Sequence, residues 1–271
     1  MALSLALPAA GQRTFTVDLW PDGLPDTNGR DLVRPYDMKD NYKPRLTVFL
    51  PDSTKANGQA VLCIPGGGYT TVCYNAEGPV WAPYFLKRGI AIAVLIYRLP
   101  NGYTAVPATD AMEAMRILRR NATKWGYSPH KIGIMGHSAG GHLAATVATH
   151  AVGDARPDFQ ILLYPVITMG GTHTRYNLIG KDPLPGIADY YSLEKQVRPG
   201  QAPALILTAD DDELVPTSNA VGYYLALNRA HVPASLHIWP SGRHGFSCHK
   251  SFPWHDEEIR EIFSWLKSIN Q

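Results

Sequence analysis

The stretch "IMGHSAGGHLA", Ile134–Ala144, sets Ser138 between Gly136 and Gly140. A G-x-S-x-G pattern suits a sharp, strained strand-to-helix turn that leaves a serine hydroxyl exposed, with small residues letting neighbouring backbone approach. The pattern recurs by chance in many proteins, so its context matters. Here an apolar run, "KIGIMG" (131–136), leads into it and a small-residue helix, "GHLAATVATHA" (141–151), follows. A serine hydroxyl is a poor nucleophile at neutral pH. It needs a base, usually an imidazole, and the imidazole needs a carboxylate to orient it. Asp210, Asp211 and Asp212 in "ALILTADDDELVP" are the candidate acids, and His244 in "SLHIWPSGRHGF" is the candidate base. Serine, acid and histidine follow one another in the chain order that a nucleophile elbow requires. Each stands at the C-terminal end of an expected strand, where open α/β sheets bind their ligands.

Acyl transfer builds negative charge on a carbonyl oxygen, which fixed N–H donors stabilise. Ala139, directly after the serine, offers one such donor. The loop "PGGGY" (65–69) can offer more, because its glycines let backbone come close to a substrate. A phosphate cradle is the competing reading of this loop. It lacks both the Walker Lys-Ser/Thr pair and a GxGxxG pattern. His137 is expected to turn away from the site and pack, and His142 and His150 are read as structural or surface positions. His244, His249 and His255 are loosely spaced, without a supporting cysteine or carboxylate pattern, so neither a metal nor a cofactor is expected. Glu77 in "AEGP" either lines the cleft or caps the helix near Pro79. Asp110 is expected to complement the first turn of its helix, and Arg98 to form a structural ion pair. Tyr69, Trp81, Tyr164, Tyr176, Tyr190, Trp239 and Trp254 flank these loops or lie in the segment 167–202. Of them Tyr69, Trp239 and Trp254 are the candidate substrate-stacking residues, against the alternative that they are core.

The elements that must position these residues alternate between strand and helix. "TFTVDLW" (14–20) and "RLTVFLP" (45–51) alternate apolar and polar residues and read as half-exposed antiparallel strands. The runs at 60–65, 90–97, 131–136, 159–166 and 204–209 are continuously apolar and fit strands buried on both faces of a parallel sheet. An eighth strand is expected at 234–239. Helices are expected at 79–87, 107–125, 141–151, 218–229 and 256–269, with Pro107 suited to a first helical position and Gly126 to a stop. The segment Ile167–Ala202 is rich in Gly, Pro and Tyr and too long for a plain connection, so it is expected to form a cap over a site. The rest reads as a single domain.

The chain has 271 residues and a formal charge of +2, which gives no basic field for nucleic acid and no acidic tail. No apolar run approaches the ~20 residues of a membrane-crossing helix. Cys63, Cys73 and Cys248 show no CxxC spacing. Free thiols are the expectation, with Cys73–Cys248 the one pairing to consider. The opening "MALSLALPAAGQ" is short, apolar and without a basic start. It reads either as the remnant of a trimmed export signal or as a frayed natural terminus, and the first reading favours a secreted or periplasmic protein over a cytoplasmic one. Nothing in the sequence marks an oligomeric state.

Taken together, "PGGGY", "GHSAGGHLA", "DDDELVP" and "HGF" resemble an α/β-hydrolase serine esterase. The likeness is to the bacterial acetyl esterase group that includes acetylxylan and feruloyl esterases. "LWPDGLP", "YRLP", "NLIGKDP", "YSLEKQV" and "PASLHIWP" extend the likeness over nearly the whole chain. The resemblance implies an α/β-hydrolase fold of about eight mostly parallel strands. It also implies hydrolysis of acetyl or feruloyl esters on xylan-type polysaccharide or oligosaccharides. Carried over by position, it makes Ser138 the nucleophile and His244 the base. The acid, four residues before the proline of the "VP" turn, becomes Asp212, with Asp211 the rival. Gly67, Gly68 and Ala139 become the oxyanion donors. One departure is that Pro65 stands where many hormone-sensitive-lipase-like relatives have a histidine. A prolyl-oligopeptidase-type peptidase shares the fold and the "DD…VP" pattern, but carries a propeller for which this chain has no room. A non-catalytic binding protein on this fold typically lacks a triad member, whereas here each has a candidate.

Overall fold

The computed structural model describes residues 11–170 and 173–269. The opening apolar stretch on which the export expectation rests lies, through residue 10, outside the described residues. The strands are β1 (Arg13–Asp18), β2 (Arg45–Leu50), β3 (Ala60–Ile64), β4 (Ala91–Ile96), β5 (Ile132–His137), β6 (Gln160–Leu163), β7 (Ala204–Ala209) and β8 (Ala234–Trp239). They form one sheet in the order β1-β2-β4-β3-β5-β6-β7-β8. β2 runs antiparallel to both β1 and β4, and every pairing from β4 to β8 is parallel.

The continuous apolar runs work because strand side chains alternate between faces. In β3, Leu62 and Ile64 enter one hydrophobic cluster, while Val61 and Cys63 enter the other. In β7, Ala204 and Ile206 go to the first and Leu205, Leu207 and Ala209 to the second. β1 and β2 have one wetter face, hence their alternating sequences.

The helices are α1 (Tyr74–Glu77), α2 (Ala82–Leu86), α3 (Val106–Arg120), α4 (Ala122–Trp125), α5 (Ser138–His150), α6 (His173–Ile179), α7 (Ile187–Tyr191), α8 (Ser218–Arg229) and α9 (His255–Ser268). Two differ from expectation. The helix expected at 79–87 begins as a single 3₁₀ turn over Pro79–Trp81 and continues as the short α2, with the unexpected α1 just before it. The helix expected at 107–125 breaks at Asn121, whose Nδ2 donates to the Ile117 carbonyl at 2.8 Å. That side chain competes for a main-chain acceptor of the helix. Between β6 and β7, Asn219 Oδ1 accepts the N–H groups of Ile167 and Thr168, and Ser192 Oγ accepts that of Met169. Leu178, Tyr191 and Leu193 of the same segment are buried in the first cluster.

The β1–β2 connection opens at the sheet edge where β4 ends, since Asp18 pairs with Arg45 and Arg45 with Ile96. Arg98 latches it there. Its Nη2 reaches Asp110 Oδ1 and Asp26 Oδ1, each at 2.7 Å, and Trp20 Nε1 donates to Asp110 Oδ1 at 2.8 Å. Burial opposes the Arg98 charge, but Asp110 and Asp26 hold the guanidinium above its ordinary pKa. Asp110, expected in the first turn of its helix, lies beyond that turn of α3 and is instead a buried ion-pair partner. Cys63, Cys73 and Cys248 are free thiols. Among the described residues, no helix is long and apolar enough to cross a membrane.

Candidate active site

Ser138 follows β5 at the first position of α5, with φ at 53°, a left-handed conformation that a serine rarely adopts. Tight packing imposes the turn. A Cβ on Gly140 would lie 2.2 Å from the Ile64 carbonyl oxygen, and one on Gly66 would lie 2.6 Å from that of His137. The glycine loop after β3 and the elbow after β5 therefore touch backbone to backbone.

Asp212 follows β7 and His244 follows β8. His244 Nδ1 stands 2.7 Å from Asp212 Oδ2, and its Nε2 stands 2.8 Å from Ser138 Oγ. A carboxylate can only accept here, so Nδ1 carries the proton and Nε2 is free to accept from the serine. The other Asp212 oxygen, Oδ1, takes the N–H groups of Leu214 and Val215 at 3.0 and 2.8 Å. Its side chain is fully buried. Asp211 has a different partner: its Oδ1 accepts the Arg243 N–H at 2.7 Å, holding the loop that carries the histidine. Asp210 is exposed.

Gly67 has φ at 124°, and a Cβ there would strike the Thr71 carbonyl oxygen at 2.3 Å. That position admits only glycine. Among the described residues, the N–H groups of Gly67, Gly68 and Ala139 have no intramolecular acceptor. The loop is held from outside. Asn177 Nδ2, in α6, donates to the Gly68 carbonyl at 2.7 Å. Tyr69 shares a 2.9 Å hydrogen bond with His142 Nδ1. His142 Nε2 faces the Tyr191 carbonyl at 2.8 Å and must donate to it, so Nδ1 accepts from the Tyr69 hydroxyl. Burial lowers the His142 pKa to about 4.

Two of the aromatic stacking assignments are corrected by burial. Tyr69 is 3% exposed and Trp239 is 2% exposed, packed between Phe246 and Phe252. Neither presents a ring face to a ligand. Trp254 packs against the same cluster, and its Nε1 donates to Ser241 Oγ. His137 is buried between the rings of Trp81 and Tyr164, and His150 stacks on Tyr190 with centroids 4.1 Å apart. His255 shares a hydrogen bond with the Tyr84 hydroxyl.

Glu77 and Tyr164 were not singled out as a pair by the sequence. Glu77 neither lines an open cleft nor caps a helix. Its Oε2 accepts the Gly66 N–H at 2.7 Å and its Oε1 accepts the Tyr164 hydroxyl at 2.9 Å. The Tyr164 ring meets the His244 ring edge to face, with centroids 4.9 Å apart. The available signal was a lone carboxylate in the glycine-rich, otherwise uncharged stretch that follows the loop.

An imidazole–carboxylate pair aimed at a hydroxyl, beside unpaired N–H groups, can activate that hydroxyl and stabilise an oxyanion next to it. Comparison with known proteins points the same way. A family model described as BD-FAE matches residues 46–227. The acetylxylan esterase of Xylanibacter ruminicola is 38% identical over 240 residues, covering 86% of this chain and 50% of that protein. Endo-1,4-beta-xylanase B of Butyrivibrio fibrisolvens is 34% identical over 231 residues, covering 78% and 36%. The chain thus spans about half or less of the length of these two relatives. The crystal structure of an acetyl ester-xyloside bifunctional hydrolase from Caldicellulosiruptor lactoaceticus aligns with a TM-score of 0.82 and 29% identity, covering 94% of this chain and 96% of that one.

Proposed function

The chain belongs to the BD-FAE family, and from that premise we propose that it is a serine carboxylesterase that needs no cofactor. The observation that carries the reading is the continuous hydrogen-bonded line Ser138–His244–Asp212, at 2.8 and 2.7 Å, beside unpaired N–H groups. Ser138 Oγ attacks the ester carbonyl while His244 Nε2 takes its proton. Asp212 holds the imidazole and stabilises the imidazolium that forms. The N–H groups of Gly67, Gly68 and Ala139 receive the oxyanion. The alcohol then leaves with the proton from His244, and water, activated by the same base, releases the acid from the acyl-enzyme.

The substrate we propose is an acetyl ester on xylan or its oligosaccharides, with feruloyl the alternative acyl group. The relatives named acetylxylan esterase and endo-1,4-beta-xylanase support this choice, as does the similarity to an acetyl ester-xyloside hydrolase. A polysaccharide substrate is also consistent with an exported protein. Release of acetate and of ferulate from decorated xylan oligosaccharides tests the proposal. Acetate release is expected to be the faster. Ferulate release alone would reassign the acyl group, and release of neither would remove xylan esters as the substrate.

A further inference from the structure

Glu77 is 6% exposed, yet its carboxylate meets only neutral donors, the Gly66 N–H and the Tyr164 hydroxyl. Among the described residues, it takes part in no ion pair. A buried carboxyl away from any cation is unfavourable unless its oxygens are hydrogen-bonded, and a purely space-filling role would not require one. Its two partners come from the strands on either side of β5, which delivers Ser138: Gly66 follows β3 and Tyr164 follows β6. Gly66 opens the oxyanion loop, so close to the elbow that an added Cβ would lie 2.9 Å from Ser138 Cβ. Tyr164 supports the base through ring contacts, to His244 at 4.9 Å and to Phe246, which lies two residues on in the same loop, at 4.7 Å. Tyr164 also sits at φ 38°, a left-handed conformation that a bulky residue rarely adopts and that its surroundings must hold in place.

We infer that Glu77, acting through Gly66 and Tyr164, is a positioning residue that holds the oxyanion loop and the His244 ring in register across Ser138. The inference rests on the esterase reading. Neighbouring strands fix loop origins but not loop tips, and a misplacement of about 1 Å in a reacting geometry can cost about 10²-fold in rate. One carboxylate with two oxygens is suited to tie two tips together. One oxygen takes the main chain of the donor loop, and the other takes the side chain that packs against the base.

The test is steady-state turnover of p-nitrophenyl acetate by the full chain, with melting temperatures measured alongside. Glu77→Ala is expected to lower kcat about 10²-fold and to leave KM nearly unchanged. Tyr164→Phe keeps the ring and removes the tether, and is expected to lower kcat about tenfold. Glu77→Gln keeps an acceptor for Gly66 and is expected to recover most of the loss. In the double variant Glu77→Ala, Tyr164→Phe the two losses should combine to less than their product, because the tyrosine hydroxyl acts largely through the carboxylate. If Glu77→Ala fails to fold, Tyr164→Phe, which preserves volume, still decides the matter. Wild-type kcat in Tyr164→Phe, a loss confined to KM, or losses that multiply in the double variant would overturn the inference while leaving the esterase reading intact. An inactive wild-type protein would instead remove that reading and this inference with it.

Discussion

Asp110 and Asp212 are both buried carboxylates, and they are held in opposite ways. Asp110 faces a permanent cation: Arg98 gives it Nε at 3.0 Å, Nη2 at 2.7 Å and its own main-chain N–H at 2.9 Å. Asp110 and Asp26 keep Arg98 charged although burial pushes the Asp110 carboxyl up, and the product is a fixed connection between the β1–β2 loop and the start of α3. Asp212 faces two main-chain N–H groups and an imidazole. In the proposed mechanism His244 becomes an imidazolium as it takes the serine proton, so its attraction to Asp212 would strengthen at that step. A buried acid paired with a guanidinium stores its electrostatic energy in the fold, whereas one paired with an imidazole can spend it in the transition state.

The sharpest way to break this contrast is at Asp212. Asp212→Asn should lower kcat on the order of 10⁴-fold by allowing the wrong imidazole tautomer, while the protein stays folded. Asp211→Asn, which only alters the bond to the Arg243 N–H, should cost about tenfold or less. Steady-state kinetics on the two variants reads both effects, and the reverse order would transfer the triad role to Asp211.

At the Arg98 cluster the expected loss is of stability. Arg98→Met strands Asp110 without its cation and should lower the unfolding free energy by about 3–5 kcal/mol, read as a drop in the urea midpoint. The kcat of the folded fraction should be retained. Adding Asp110→Leu should restore part of the stability, because a matched apolar pair replaces a broken ionic one. A large fall in kcat with an unchanged midpoint would mean that this cluster belongs to the site.

The smallest effect concerns pH and the support beneath the glycine loop. His142 titrates at about 4 in the folded chain, against 6.5 for an unperturbed imidazole. Between these values the unfolded chain binds the proton and the folded chain does not, so stability falls as pH drops from about 6.5 to about 4. The full contribution is on the order of 3 kcal/mol. Urea midpoints across this window should fall more steeply for the wild type than for His142→Gln. Parallel slopes would show that the buried imidazole is not the group responsible.

Much of the architecture was legible because strand burial leaves a period-two record. β7, α8 and β8 fall at the expected residues, and the continuously apolar runs are the strands buried on both faces. The structure brings Ser138, Asp212 and His244 within hydrogen-bonding distance, as their residue types, chain order and places at strand ends suggested. Glu77 and Tyr164 could not be paired by such rules, since their contact exists only once loops from two strands have folded together. The stacking role given to Tyr69 and Trp239 failed because aromatic content does not say which way a ring turns. Tyr69 turns inward to His142, and Trp239 sinks among phenylalanines. The break at Asn121 arose from a local side-chain bond that a helical pattern does not encode.

The central claim is that Ser138 carries the acyl group, and the direct test is to catch it there. Full-length protein would be mixed with p-nitrophenyl acetate, quenched in acid during turnover, digested, and its peptides mapped by mass. The account predicts an acetyl group on the peptide containing Ser138, absent from Ser138→Ala. Turnover with the acetyl group on another residue, or undiminished turnover by Ser138→Ala, would contradict it.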